Sequence, residues 1–132
     1  MRKALIATDV LTVVLILVQA LIAGQSLYAS ANISVHGFVG NGTFAVAVVA
    51  LVLAFVARVP VWLLVLNGLL ALLLFFQTGL GYVGRDSSVA ASFHIPLGVT
   101  AFGLATAAMV GAIVVVVGTR ALADAPGPGS SA

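Results

Sequence analysis

Two histidines, His36 and His94, are the side chains of this sequence best suited to chemistry. Both lie in strongly apolar stretches, where an ionisable or metal-ligating residue costs free energy and therefore indicates function. The sequence contains no cysteine, which excludes disulfides, thiolate-bound metals and cysteine nucleophiles. The chemistry to be explained is therefore that of two imidazoles.

The two histidines occupy equivalent positions of an internal repeat. An offset of 58 positions places His36 on His94 and aligns the two halves of the chain without a gap. The other matches include Gln19 with Gln77, Ser34 with Ser92, Gly40 with Gly98 and Phe44 with Phe102, while Asp9 falls on Asn67. Since the rare polar residues fall into register, we expect the two halves to fold alike.

The composition predicts a membrane protein that consists of little more than its transmembrane helices. Of 132 residues, 63% are hydrophobic and 6% are charged, and a bilayer span needs about 20 apolar residues. The apolar runs predict four transmembrane helices, at about residues 4–24, 35–57, 61–80 and 89–118, in one bundle over residues 1–122. The length of the first run favours a retained helix over a cleaved signal peptide. Residues 123–132 are rich in Pro, Gly and Ser and are predicted to be disordered.

The repeat predicts how these helices are arranged. We expect an all-α, up-down-up-down bundle of two tandem helical hairpins, related by a pseudo-two-fold axis along the membrane normal. His36 and His94 then lie at the same depth on the second and fourth helices, which are diagonal partners across such a bundle. A ligand between them would lie on the axis.

The cations beside the spans predict the orientation, because Lys and Arg are retained on the cytoplasmic side. Arg2, Lys3, Arg58 and Arg120 fall on one side and Arg85 on the other. Both termini of this multi-pass cell-membrane protein are therefore predicted to be cytoplasmic, with the histidines near the extracytoplasmic face. Five cations are too few for a nucleic-acid footprint, so the expected partner is the lipid bilayer.

Two facing imidazoles without a carboxylate or cysteine beside them fit bis-axial ligation of heme iron better than a zinc site, which needs more ligands. Gly40 and Gly98 follow the histidines by one helical turn, and a glycine there would let a flat macrocycle approach the backbone. Phe44 and Phe102, one turn further, would pack against its edge. The glycines alone also fit simple close packing of helices. The sequence thus predicts one bis-histidine heme b.

Three further side chains complete the predicted site. Arg85 is the cation on the extracytoplasmic side, and we expect it to pair with a heme propionate, although an ion pair with Asp86 is the simpler alternative. Gln19 and Gln77 approach the histidine level on the first and third helices. They are predicted to hydrogen-bond a ligating imidazole or a propionate, or else to link helices.

Residues 75–105, FFQTGLGYVGRDSSVAASFHIPLGVTAFGLA, resemble the heme A synthase family, and VQALIAG with VHGFVGNGTFA reads as a weaker copy of the same pattern. That family is built from two four-helix bundles that bind heme through histidines on their second and fourth helices, and this chain resembles one such bundle. The catalytic bundle has a carboxylate shortly before its first histidine. Here Asn32, Ile33, Ser34 and Val35 precede His36, so the resemblance is to the bundle that holds heme b without catalysis.

The sequence therefore predicts a small b-type cytochrome for electron transfer or heme handling, working with a redox partner or within a membrane complex. One alternative is a heme-free structural or accessory subunit of a membrane complex. Another is a heme A synthase-like enzyme acting as a homodimer, against which the missing carboxylate and cysteine pair count. An enzyme is the less favoured interpretation.

Overall fold

The protein, analysed as a computed structural model that describes residues 1–29 and 32–123, consists of helices and short connections in those residues. Its helices are α1 (Arg2–Tyr28), α2 (Ile33–Val56), α3 (Val61–Val83) and α4 (Ser88–Ala123). Each of the four is long and apolar enough to cross a membrane. The predicted number and order of helices are therefore confirmed.

Three helices extend beyond their predicted ends. α1 continues to Tyr28 and α3 to Val83, because the glycines in these segments leave the main-chain hydrogen bonds of the helix intact. The last bonds run from Ala29 N to Gln25 O at 2.8 Å and from Gly84 N to Leu80 O at 2.7 Å. α4 includes Ala123, and the remainder of the tail predicted to be disordered lies outside the described residues.

Local capping determines where α2 and α4 begin. The Asn32 side chain accepts a hydrogen bond from Ser34 N at 2.8 Å, and Ser87 Oγ accepts one from Ala90 N at 3.3 Å, so each satisfies a main-chain donor at a helix start. The connection between α2 and α3 turns sharply at Arg58, whose φ of 50° lies in the left-handed region. Pro60 then caps α3.

Within the described part of the chain, each helix packs against two neighbours: α1 and α3 each pack against both α2 and α4. The core combines large side chains of α1 and α3 with alanines of α2 and α4. Its largest members include Leu5, Leu63 and Leu70, and the alanines include Ala47, Ala50, Ala54, Ala105, Ala108 and Ala112. Small residues on two diagonal helices let all four backbones approach closely.

The buried positions of the two hairpins correspond at the offset of the sequence repeat. The corresponding buried pairs are Leu5 with Leu63, Asp9 with Asn67, Thr12 with Leu70, Ile16 with Leu74, Thr43 with Ala101, Ala47 with Ala105, Ala50 with Ala108 and Ala54 with Ala112. The repeat detected through a few polar residues therefore extends to the packing of the core.

Candidate histidine site

The structure brings the two histidines together. His36 lies at the start of α2 and His94 near the start of α4, and these are diagonal helices. The ring centroids are 5.9 Å apart, with an angle of 70° between the ring planes. The two side chains therefore meet across the interior at one end of the bundle.

A pair of matching hydrogen bonds positions the two histidine backbones. Gln19 Nε2 of α1 donates to the main-chain oxygen of His36 at 2.9 Å. Gln77 Nε2 of α3 donates to the main-chain oxygen of His94 at 2.8 Å. The glutamines thus contact the histidines through the peptide carbonyl, and each links the two helices of its own hairpin.

The two imidazole rings are held differently. His94 Nδ1 lies 3.0 Å from the main-chain oxygen of Gln77. Because a carbonyl oxygen only accepts, Nδ1 carries the proton in this bond, which leaves Nε2 of a neutral ring with a free lone pair. Among the described residues His36 Nδ1 is buried without a hydrogen-bond partner. The His36 ring also lies near the backbone of Gln19, so the two rings differ in how closely they approach the equivalent main-chain group.

Glycines make room for this arrangement. A Cβ added to Gly81 would lie 3.0 Å from His94 Cε1, and one added to Gly40 or Gly98 would lie 3.2 or 3.1 Å from the Nε2 atom of Gln19 or Gln77. In this structure Gly40 and Gly98 thus accommodate the glutamine amides. The sequence predicted that these two glycines lie beside a heme macrocycle, and this remains a prediction.

The two phenylalanines of the predicted site do not make equivalent contacts. Phe44 turns toward α3, where its ring centroid lies 6.0 Å from that of Phe75. Phe102 is 37% exposed on α4. Both follow the histidines by two helical turns, but the helix face that each occupies has different neighbours.

Arg85 lies at the histidine end of the bundle, on the side formed by α2 and α3. Its guanidinium carbon lies 5.1 Å from the centroid of the Tyr82 ring, and its Nη2 would be 3.2 Å from a Cβ on Gly37, the residue after His36. Asn41 Nδ2 donates to the Tyr82 hydroxyl at 2.7 Å. A cation is thus held close to the histidine pair.

Sequence reasoning missed Asn41, Gly37 and Gly81. The repeat gave no signal for the first two, because their counterparts are Val99 and Ile95, which are neither polar nor small. Gly81 corresponds to Ala23, a conservative difference that is common in apolar helices.

The donor set fits a metal that brings most of its own ligands. Among the described residues, no group of three or more His, Cys, Asp or Glu is placed to hold a metal ion. Two imidazoles suffice for a metal in a macrocycle, which supplies the remaining ligands. Near the rings, the buried oxygens Gln19 Oε1 and Gln77 Oε1 also lack hydrogen-bond partners within the described chain. The site therefore combines two imidazoles with buried polar atoms that lack partners within the described chain.

The comparison with known families gives one match. A family described as a family of unknown function, DUF6220, matches residues 19–83. This segment runs from Gln19 to the end of α3 and includes His36 and Gln77, whereas His94 lies beyond it. No curated protein and no solved structure matches the chain. The chain is thus similar, over its central segment, to a family without an assigned function.

Proposed function

We propose that the protein is a small integral membrane cytochrome that holds one heme b between His36 and His94, for electron transfer or heme handling. The observation that carries the proposal is the meeting of the two imidazoles across the bundle, with ring centroids 5.9 Å apart. Two imidazole nitrogens, each about 2 Å from a shared metal, would place the centroids roughly 6 Å apart. A bound heme would supply a site that gains and loses one electron.

Three contacts support specific roles around such a heme. The bond from His94 Nδ1 to the Gln77 main-chain oxygen is of the kind that fixes the orientation of metal-ligating histidines. Arg85, held over Tyr82, is the side chain we assign to a propionate. Gly40, Gly98, Phe44 and Phe102 would line the macrocycle, with Gln19 and Gln77 holding the two helix starts.

The proposed setting is an up-down-up-down bundle in the cell membrane, with a pseudo-two-fold axis along the membrane normal. The corresponding buried positions and the two equal glutamine bonds support the axis. A shared core cluster supports the topology, because Leu5 at the start of α1 packs with Val59 before α3 and Ala112 late in α4. The cation distribution supports cytoplasmic termini and an extracytoplasmic histidine site.

The resemblance to the heme b-holding bundle of heme A synthases supports the same proposal. Because no carboxylate shortly precedes His36 in the sequence, we assign no oxidative chemistry to the protein. Its electrons would be exchanged with a partner in the membrane, either another subunit or a second copy of this chain.

A heme-free structural subunit is the second candidate, and one observation favours it. The glutamine bonds to the histidine carbonyls join each pair of helices through protein atoms alone. If these residues served only to join helices, the two imidazoles would have no ligand to bind and would only fill space at the end of the bundle.

An absorption spectrum distinguishes the two candidates. The full-length protein, expressed with added heme and purified in detergent, is expected to have a Soret band and, after dithionite reduction, the sharp α and β bands of low-spin bis-histidine heme. His36→Ala and His94→Ala should each abolish or convert this spectrum to high-spin, whereas Val35→Ala, at an exposed neighbouring position, should retain it. A colourless wild-type protein, or an unchanged spectrum in either histidine variant, would refute heme ligation by this pair.

A further inference from the structure

A second polar site lies in the core of the bundle, far from the histidines. Asp9 of α1 is 1% exposed and Asn67 of α3 is 0% exposed. Both carboxylate oxygens of Asp9 and the Oδ1 of Asn67 are buried without a hydrogen-bond partner among the described residues. An ionised carboxylate in such surroundings would cost several kcal/mol or more, so this cluster of acceptors requires an explanation.

Asp9 and Asn67 lie at the same depth. Each precedes by ten residues the glutamine that bonds a histidine carbonyl, which places both about 15 Å along the helix from the histidine level. At that level the diagonal helices α2 and α4 contribute the fully buried Ala47 and Ala105. Because these side chains are small, the interior there is left to the side chains of α1 and α3.

The nearby donors are already used within their own helices. Asn67 Nδ2 donates to Leu63 O at 3.1 Å, and the buried Thr12 hydroxyl donates to Thr8 O at 2.9 Å. The Thr43 hydroxyl of α2 likewise donates to an oxygen of its own helix. The cluster therefore has oxygen acceptors in excess and lacks a donor or a positive charge.

Charged side chains of the described residues do not supply that charge. The titratable side chains that the structure describes in the other three helices are His36 in α2, His94 in α4 and Tyr82 in α3. His36, His94 and Tyr82 all lie at the histidine end of the bundle. Arg58 lies in the connection between α2 and α3, and Arg120 lies in the last turns of α4, about 15 residues beyond the level of Ala105. On α1 itself, Arg2 and Lys3 lie roughly two turns away from Asp9 toward the helix start.

We propose that Asp9 and Asn67 form a proton-binding site in the bundle core, in which Asp9 is a neutral carboxylic acid that donates its hydrogen to the Asn67 amide oxygen. One proton provides the missing donor and removes the buried charge. Sodium suits the site less well, because a metal cation requires several oxygen ligands. In membrane proteins these often come from unwound helices, whereas α1 and α3 are continuous through these positions.

Carbodiimide labelling tests the proposal on the full-length protein in detergent, since carbodiimides modify protonated carboxyl groups in apolar surroundings. Treatment with dicyclohexylcarbodiimide at neutral pH, followed by peptide mass spectrometry, is expected to give an adduct at Asp9 and little at Asp86, the exposed loop carboxyl in the same digest. Labelling should be the same in sodium, lithium and choline chloride. At least severalfold protection by sodium or lithium would identify a metal-cation site and overturn the proposal.

Infrared spectroscopy gives a second measurement that does not depend on labelling. Wild-type protein at neutral pH is expected to have a protonated-carboxyl stretching band that shifts in D₂O and is lost in Asp9→Asn, a variant of nearly equal volume. Asn67→Leu should shift the band by removing its acceptor, while Thr100→Val, at an exposed position of α4, should leave it in place. Absence of the acid band in wild type would refute a neutral Asp9 even if the Asp9 variant failed to fold.

Discussion

The bundle contains two hairpins, the first formed by α1 and α2 and the second by α3 and α4. Their helices are joined in the same way, but the two hairpins hold their histidines differently. Each joins its helices through a glutamine amide bonded to a histidine carbonyl, at 2.9 and 2.8 Å. Only in the second does the imidazole also bond to a main-chain oxygen, among the described contacts. The repeat therefore preserves backbone placement, while the His94 ring has a close bond to Gln77 O and the His36 ring a looser contact with the backbone of Gln19.

The hairpins also differ at the end away from the histidines. In the second, Trp62 of α3 packs directly over Gly111 of α4. The corresponding positions of the first hairpin hold Ala4 and Leu53. In the second hairpin the large side chain of the pair is on its first helix, whereas in the first hairpin it is on its second helix. Similar backbone packing is therefore reached with different side chains.

We expect the largest loss of stability at Gly111, where the Trp62 ring leaves little space for a side chain. In Gly111→Ala, the new Cβ would lie 2.7 and 2.8 Å from two Trp62 ring carbons and 3.2 Å from a methyl carbon of the buried Leu63. The half-exposed Trp62 ring has to shift, and we expect a cost toward the lower end of the roughly 1–3 kcal/mol typical of overpacking, about 1 kcal/mol. Thermal unfolding in detergent should record a clear drop in midpoint. Gly103→Ala is the control in the same helix, because its Cβ would meet nothing within 4 Å. Equal midpoints for the two variants would contradict the close packing of Trp62.

A smaller effect is expected from Gly81→Ala, which tests the oriented ring of the second hairpin. Its Cβ would lie 3.0 Å from His94 Cε1 and would push the ring from its bond to Gln77. Groups that orient a metal ligand affect affinity about 10- to 100-fold, so the proposed heme binding should be about tenfold weaker in titrations followed by the Soret band. Gly79→Ala, in open surroundings on the same helix, should bind normally. If Gly81→Ala bound heme as tightly as the wild type, the orientation of the His94 ring would not contribute to heme affinity.

Loss of either glutamine bond should have a smaller effect on stability than these changes, and the two losses should be equal. Gln19→Leu and Gln77→Leu each remove one interhelical hydrogen bond, which is worth about 0.6 kcal/mol on average in membrane proteins. Chemical or thermal unfolding in detergent should give losses that agree within error, and the double variant should lose their sum. A loss confined to one variant would mean that the two hairpins are not equivalent even in their backbones.

The smallest effect is expected from Tyr82→Phe, which removes the bond from Asn41 Nδ2 to the tyrosine hydroxyl. This bond is exposed and has no counterpart between α4 and α1, where the equivalent positions hold Val99 and Gly24, so its loss should change stability by no more than about 0.5 kcal/mol. The same unfolding assay measures it. A loss larger than that of Gln77→Leu would make the α2–α3 contact, rather than the repeat, the main polar link of the bundle.

Sequence reasoning anticipated the four helices and singled out His36 and His94, whose rings meet in the structure, because rare polar residues in apolar helices occur where packing or function requires them. The heme-binding roles assigned to the residues around them remain predictions. Sequence reasoning was less successful with helix ends, since Gly24 and Gly81 continue a helix when neighbouring backbone bonds remain. It also left open the partner of Gln19 and Gln77, because an amide that reaches the histidine level can bond a ring nitrogen or a main-chain oxygen equally well.

The sequence by itself determined that four apolar helices form, that its halves match at an offset of 58 positions, and that His36 and His94 are counterparts at that offset. These properties follow from hydropathy and from a constant offset, which are local or periodic features of the chain. Only the tertiary structure decided that the two rings meet, that the His94 ring bonds to Gln77 O, and that the Asp9 carboxylate and the Asn67 Oδ1 are buried without hydrogen-bond partners among the described residues. Such contacts depend on how helices rotate and approach one another, and the close packing of small side chains across the whole bundle sets that geometry.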